Sequence, residues 1–201
     1  MPKIKICGLF RAEDIAFVNE AEPDYIGFVF ARSRRQVRPA EAARLRDRLK
    51  PGIAPVGVFV NAPVEDIVRL YRDGTIGLAQ LHGTEDENYI AELKSRCAAP
   101  VIKAFRSEAL SDPAGPSTGA DYLLFDSGPG GTGEAFNWSL LEAFRGGVPW
   151  FLAGGVNLGN IAQAARLKPY CIDVSSGAET AGLKDREKIL ELVRQTYEQL
   201  F

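Results

Sequence analysis

Eight short apolar runs recur along the chain at intervals of roughly 20–30 residues, the length of one strand plus one helix. They are Lys3–Cys7, Tyr25–Phe30, Pro55–Val60, Ile76–Leu81, Pro100–Phe105, Asp121–Phe125, Pro149–Ala153 and Cys171–Val174. Most are continuous rather than alternating, as parallel strands buried on both faces are. Eight such units predict an α/β fold, a single-domain (β/α)8 TIM barrel over residues 1–201. A chain of 201 residues is lean for that architecture, which typically takes about 250, so short loops and no second domain are expected.

Amphipathic segments fill most of the gaps. Helices are expected near Ala12–Glu20, Ala40–Leu49, Val64–Arg72, from Thr84 to about Cys97, near Trp138–Phe144, Leu158–Leu167 and Arg186–Leu200. Pro39 suits a first helical turn. Thr84 and Glu87 have the spacing of a capping box. Ser107–Gly119 is the weak unit, because Pro113, Gly115, Pro116 and Gly119 leave room for at most one turn of helix.

In a (β/α)8 barrel the active site lies at the carboxyl ends of the strands. Cys7 ends the first run: a thiolate there can take a proton from carbon, and a small buried core residue is the plainer alternative. Asp126 follows Tyr122-Leu123-Leu124-Phe125, placed either as a general acid or as a loop cap. Arg35, within the basic group Arg32, Arg34, Arg35 and Arg38, suits a carboxylate, and Arg34 competes for the same role. His82 ends the fourth run among the candidate substrate-binding positions, with a structural hydrogen-bond partner as its plainer role. Asp173, inside the last run, is expected to orient neighbouring groups. Gly154-Gly155 and Ser175-Ser176-Gly177 end the seventh and eighth runs, where such barrels frequently hold a phosphate on backbone N–H groups, with Ala178–Ala181 as a candidate short helix. Gly128–Gly133 reads as a closing lid or a plain flexible turn.

Composition narrows the partners. A net charge of −2 favours neither nucleic acid nor a membrane surface, and no apolar run approaches the roughly 20 residues of a membrane span. The N-terminal MPKIKICGLF lacks the pattern of a secretory signal, and three cysteines without metal-type spacing fit free thiols in the cytoplasm. One histidine rules out a multi-histidine metal site, so neither metal nor cofactor is expected. The Gly154-Gly155 and Ser175-Ser176-Gly177 loops suggest a small phosphate-bearing ligand.

Seven segments in order resemble the phosphoribosylanthranilate isomerase family: Lys5-Ile6-Cys7-Gly8, Gly27-Phe28-Val29-Phe30, Val56-Gly57-Val58-Phe59-Val60-Asn61, Gln80-Leu81-His82-Gly83, Gly130-Gly131-Thr132-Gly133, Gly154-Gly155-Val156-Asn157 and Asp173-Val174-Ser175-Ser176-Gly177. The resemblance implies a metal-free Amadori rearrangement in tryptophan biosynthesis, converting N-(5-phosphoribosyl)anthranilate to 1-(2-carboxyphenylamino)-1-deoxyribulose 5-phosphate. It implies Cys7 as general base, Asp126 as general acid, Arg35 on the anthranilate carboxylate and the two glycine-serine loops on the phosphate. It also implies a phosphosugar as the ligand, with the chain working as a monomer or homodimer. The chain departs from the usual pattern at Phe10 (a threonine is usual), Asn137 (aspartate), Ala153 (serine) and Leu158 (proline). Competing readings are another phosphosugar isomerase or a non-catalytic phosphate-ligand-binding barrel. The presence of both Cys7 and Asp126 disfavours the second.

Overall fold

The computed structural model describes residues 1–106, 114–126 and 138–198. Each apolar run forms a strand: β1 Lys3–Cys7, β2 Tyr25–Val29, β3 Ala54–Phe59, β4 Leu78–Leu81, β5 Val101–Arg106, β6 Tyr122–Asp126, β7 Trp150–Leu152 and β8 Cys171–Val174. The strands pair in chain order, all parallel, and β8 returns to β1 to close the barrel. At the seam Lys5 stands opposite Asp173, and on the other side of β1 Cys7 stands opposite Gly27. The expected (β/α)8 barrel is the observed fold.

Successive strand side chains point to opposite faces, which divides each run between two cores. Tyr25, Val56, Leu78, Ile102, Leu124 and Phe151 belong to a cluster that fills the barrel. Ile4, Ile6, Ile26, Phe28, Leu123 and Phe125 belong to another that packs against the helices. Phe28 and Phe125 are fully buried, and burial of such a side chain contributes roughly 1.5–3 kcal/mol.

The helices are α1 Ala12–Ala21, α2 Pro39–Arg46, α3 Val64–Arg72, α4 Glu87–Arg96, α5 Ser139–Glu142, α6 Ile161–Arg166 and α7 Arg186–Glu198. Three differ instructively from expectation. Pro39 lies inside α2 rather than before it, since the N–H it lacks would have no helical partner there. The cap of α4 is Asp86, which accepts from the Tyr89 N–H, and not Thr84. Thr84 is diverted to Asn61 Oδ1, to which both its N–H and its hydroxyl donate. α6 starts late because Asn157 and Asn160 first close an Asx turn: the Gly159 N–H donates to Asn157 Oδ1 and the Asn157 N–H to Asn160 Oδ1.

Ahead of α1, whose N-cap is Arg11, Asp14 supplies the acceptor for the leading N–H groups, that of Phe10 included. Its Oδ2 accepts from the N–H groups of Phe10 and Arg11, while Arg11 grips Oδ1. After β8 the expected helix at Ala178–Ala181 is replaced. A 3-10 turn spans Ser176–Ala178, and β9 (Glu179–Thr180) then pairs antiparallel with β10 (Leu183–Lys184). Ala181 and Gly182 both have positive φ, 51° and 81°, the signature of a tight hairpin turn that overrides helix. The expected lid at Gly128–Gly133 and the departure at Asn137 lie outside the described residues. In the fifth connection, residues 114–121 carry no helix.

Candidate active site

The carboxyl ends of the strands open into a cleft of about 820 Å³, the size of a small-molecule site. Cys7, Arg35, His82, Asp126, Gly154, Gly155, Ser175 and Ser176 all line it. Gly177 does not. It lies behind the wall, where a Cβ would come within 2.0 Å of the Val156 carbonyl oxygen.

Cys7 is 7% exposed at the carboxyl end of β1. Gly27, opposite on β2, makes the space for its sulfur: a Cβ there would stand 2.6 Å from Sγ. Burial pushes the thiol above its ordinary value, Lys5 and Lys184 pull it down, and burial wins. A base whose proton is held more tightly is active only at higher pH. If Cys7 acts as the base, kcat/KM should therefore rise with pH beyond about 8.5, the usual thiol midpoint. A rate profile already flat from about pH 7 would count against that role.

Arg35 reaches the cleft from the β2–α2 loop, passing over Gly8, where a Cβ would lie 2.4 Å from its Cδ. Gly8 has φ +85°, so the position needs glycine for both reasons. Glu179 of β9 holds Arg35 from behind: Nε donates to Oε1 at 2.6 Å and Nη2 to Oε2 at 3.0 Å. Lys184 also donates to Oε1 at 2.8 Å and Arg34 to Oε2 at 2.5 Å. Burial raises the Glu179 carboxyl, but the bonds from Arg35 and Lys184 outweigh it and the net is a lowered value. Geometry separates the two arginines. Arg35 lines the cleft with its Nη1 edge uncommitted to Glu179, whereas Arg34, whose side chain is 55% exposed, does not line it.

Asp126 ends β6, three strands from Cys7 around the ring. Its Oδ2 is 3.3 Å from His82 Nε2. His82 Nδ1 in turn lies 3.0 Å from Gln80 Nε2, so both ring nitrogens face protein groups.

Gly154 and Gly155 have φ of 82° and 69°, which L side chains rarely adopt, so both turn the chain after β7 as glycine alone does easily. The N–H groups of Ser176 and Gly177 begin the 3-10 turn and have no partner within it. Ser175 is tied back to β1 by its hydroxyl, which donates to the Cys7 carbonyl, while its own carbonyl accepts from Lys184. An anion held between these loops would meet backbone donors, because Lys184 is committed to Glu179 and Ser175. Gly177→Ala should push the two loops apart and raise KM by about 10–100-fold, the worth of one hydrogen bond to a charged group, with kcat little changed. Steady-state kinetics on the folded variant check this, and an unchanged KM would remove the phosphate role from these loops.

Sequence reasoning passed over Lys5, Gln80, Glu179 and Lys184, all of them buried. For two of them a signal existed. Lys5 and Gln80 are polar residues inside apolar runs, each two positions before a candidate site residue and so on its face of the strand. Glu179 and Lys184 carried no such mark.

A closed eight-stranded parallel barrel with a polar cleft at the carboxyl ends of its strands, lined by Cys7, Asp126, Gly154-Gly155 and Ser175-Ser176, defines an enzyme of the TIM-barrel class. The family model described as N-(5'phosphoribosyl)anthranilate (PRA) isomerase matches residues 4–195. The chain belongs to that family. The N-(5'-phosphoribosyl)anthranilate isomerase of Endomicrobium trichonymphae is 52% identical over 199 residues, covering 96% of this chain and 98% of its own. The crystal structure of phosphoribosyl anthranilate isomerase from Thermus thermophilus matches with a TM-score of 0.89 at 34% identity, over 97% of this chain and 98% of that one. A phosphoribosyl anthranilate isomerase in complex with reduced 1-(o-carboxyphenylamino)-1-deoxyribulose 5-phosphate matches with a TM-score of 0.79 at 31% identity, over 98% and 99%.

Proposed function

We propose that this chain isomerises N-(5'-phosphoribosyl)anthranilate to 1-(2-carboxyphenylamino)-1-deoxyribulose 5-phosphate, in tryptophan biosynthesis, with Cys7 as general base and Asp126 as general acid. The observation that carries the assignment of roles is the placement of these two groups on one cleft, beside the Gly154-Gly155 and Ser175–Gly177 loops.

The chemistry needs little more. Asp126 gives its proton to the furanose ring oxygen as the bond from that oxygen to C1 breaks. The electron pair of the anthranilate nitrogen forms an iminium with C1, which acidifies the C2–H bond. The Cys7 thiolate takes that proton, and the C–H electrons form the C1–C2 double bond of an enolamine. Return of a proton to C1 and loss of the C2 hydroxyl proton give the ketone. Atoms and charge balance, and no electron acceptor is needed. Arg35 would hold the anthranilate carboxylate through the guanidinium edge turned away from Glu179, and the loop N–H groups would hold the phosphate. Fixing both ends of the substrate supplies the orientation term. In this reading the enzyme works in the cytoplasm, as a monomer or homodimer, on a phosphosugar and without nucleic acid.

The test is an assay with freshly made N-(5'-phosphoribosyl)anthranilate, following loss of its anthranilate-type fluorescence. Turnover of about 1–10³ per second is expected. Binding without turnover would instead favour a phosphate-ligand barrel that has lost its chemistry.

A further inference from the structure

Beneath the acid–base pair a line of buried polar groups crosses the barrel interior. Lys5 Nζ donates to Asp173 Oδ2 at 2.8 Å and to Gln80 Oε1 at 2.7 Å. Gln80 Nε2 lies 3.0 Å from His82 Nδ1, and His82 Nε2 lies 3.3 Å from Asp126 Oδ2. Lys5 has no exposure and Gln80 has 2%. A buried ion pair such as Lys5–Asp173 is weak evidence for stability, because well-packed apolar residues often serve as well or better. Its position directly below the site calls for another explanation.

Donor–acceptor logic supplies one. An ammonium only donates, so the Gln80 atom facing Lys5 must be the carbonyl oxygen. Burial opposes the charge on Lys5, but Asp173 outweighs it and the group is held above its ordinary value, so it stays a donor throughout the working range. With the Gln80 oxygen so fixed, its amide nitrogen faces His82. That nitrogen only donates, so Nδ1 must accept. A neutral imidazole carries one N–H, and here it is left on Nε2, aimed at Asp126.

We infer that Gln80, itself oriented by Lys5, is a positioning residue that holds His82 as the Nε2–H tautomer, so that His82 donates to Asp126 and does not take its proton. The tautomer matters because the alternative disables the acid. With the proton on Nδ1, the bare Nε2 would accept the Asp126 O–H and hold it away from the substrate ring oxygen. With the proton on Nε2, that N–H donates to Oδ2 and the ring leaves the acid proton to the substrate. The tautomer stands on geometry alone, while its catalytic consequence rests on Asp126 being the general acid.

His82 is the only histidine in the chain, so its spectrum needs no assignment. Full-length protein labelled with ¹⁵N-histidine should show, in long-range proton–nitrogen correlation of the neutral ring, a bare Nδ1 and a protonated Nε2. A protonated Nδ1, or an even mixture, would overturn the inference without any variant being made. Gln80→Glu replaces the donor with an acceptor while keeping a partner for Lys5. It should shift the ring proton to Nδ1 and lower kcat by about tenfold or more, with KM near its parent value. A shifted tautomer with unchanged kcat would refute the positioning role. The parent tautomer as inferred, together with an active Asp126→Asn, would leave the tautomer standing and refute its catalytic consequence along with the acid assignment.

Discussion

Cys7→Ser is expected to lower kcat by about 10²–10⁴-fold, the range of a lost general base, while KM stays within a few-fold of the parent. A serine hydroxyl is far too weak an acid to ionise in the working range, whereas a thiol, even with burial holding its proton more tightly than usual, ionises far more readily as the pH rises. The substitution is also sterically mild. The sulfur occupies space that Gly27 leaves open, and the smaller oxygen fits the same space, so a folding defect is not expected. Steady-state kinetics together with binding of a product analogue decide the matter. Turnover near the parent rate would remove Cys7 from the base role and return it to the core.

Asp126→Asn should cost a similar 10²–10⁴-fold in kcat, because an amide has no acid proton to give to the ring oxygen. Its shape is conserved, and its carbonyl can still accept from the His82 ring across the 3.3 Å contact, so the wall of the cleft should remain in place. The readout is kcat with an intact fold. If the rate is unaffected, His82, which shares that contact, becomes the acid by default. A parent pH profile bounded by two titrating groups would be consistent with the pair but would belong to the coupled system rather than to either residue.

The fold was legible because its signals are local. Runs such as Tyr25–Val29 and Cys171–Val174 carry their strand character in their own composition. Legibility failed where a side chain had two uses. Thr84 matches a helix cap in sequence, but Asn61, 23 positions earlier, claims both its N–H and its hydroxyl. Ala178–Ala181 passes for a short helix until the positive φ of Ala181 and Gly182 turns it into a hairpin. The same hairpin hides the partner of Arg35: Glu179 lies 144 positions away and in a segment that the sequence suggests to be helical.

What the sequence by itself determined was the barrel, the identity of the residues at its mouth and, through motif order, the family. Strand alternation and chain order are enough to carry Cys7, His82, Asp126 and Ser175 to one end, because each needs only its own strand to be placed. Only the tertiary structure decided which polar groups meet. The Lys5–Asp173 contact spans 168 positions and exists because β8 closes on β1 in one register. Gln80 then finds Lys5 across the interior, and Arg35 finds Glu179 only where β9 folds back. Side-chain direction follows from a local backbone period, whereas a hydrogen bond requires two groups within about 3 Å, and only barrel closure and the folding back of β9 set those distances.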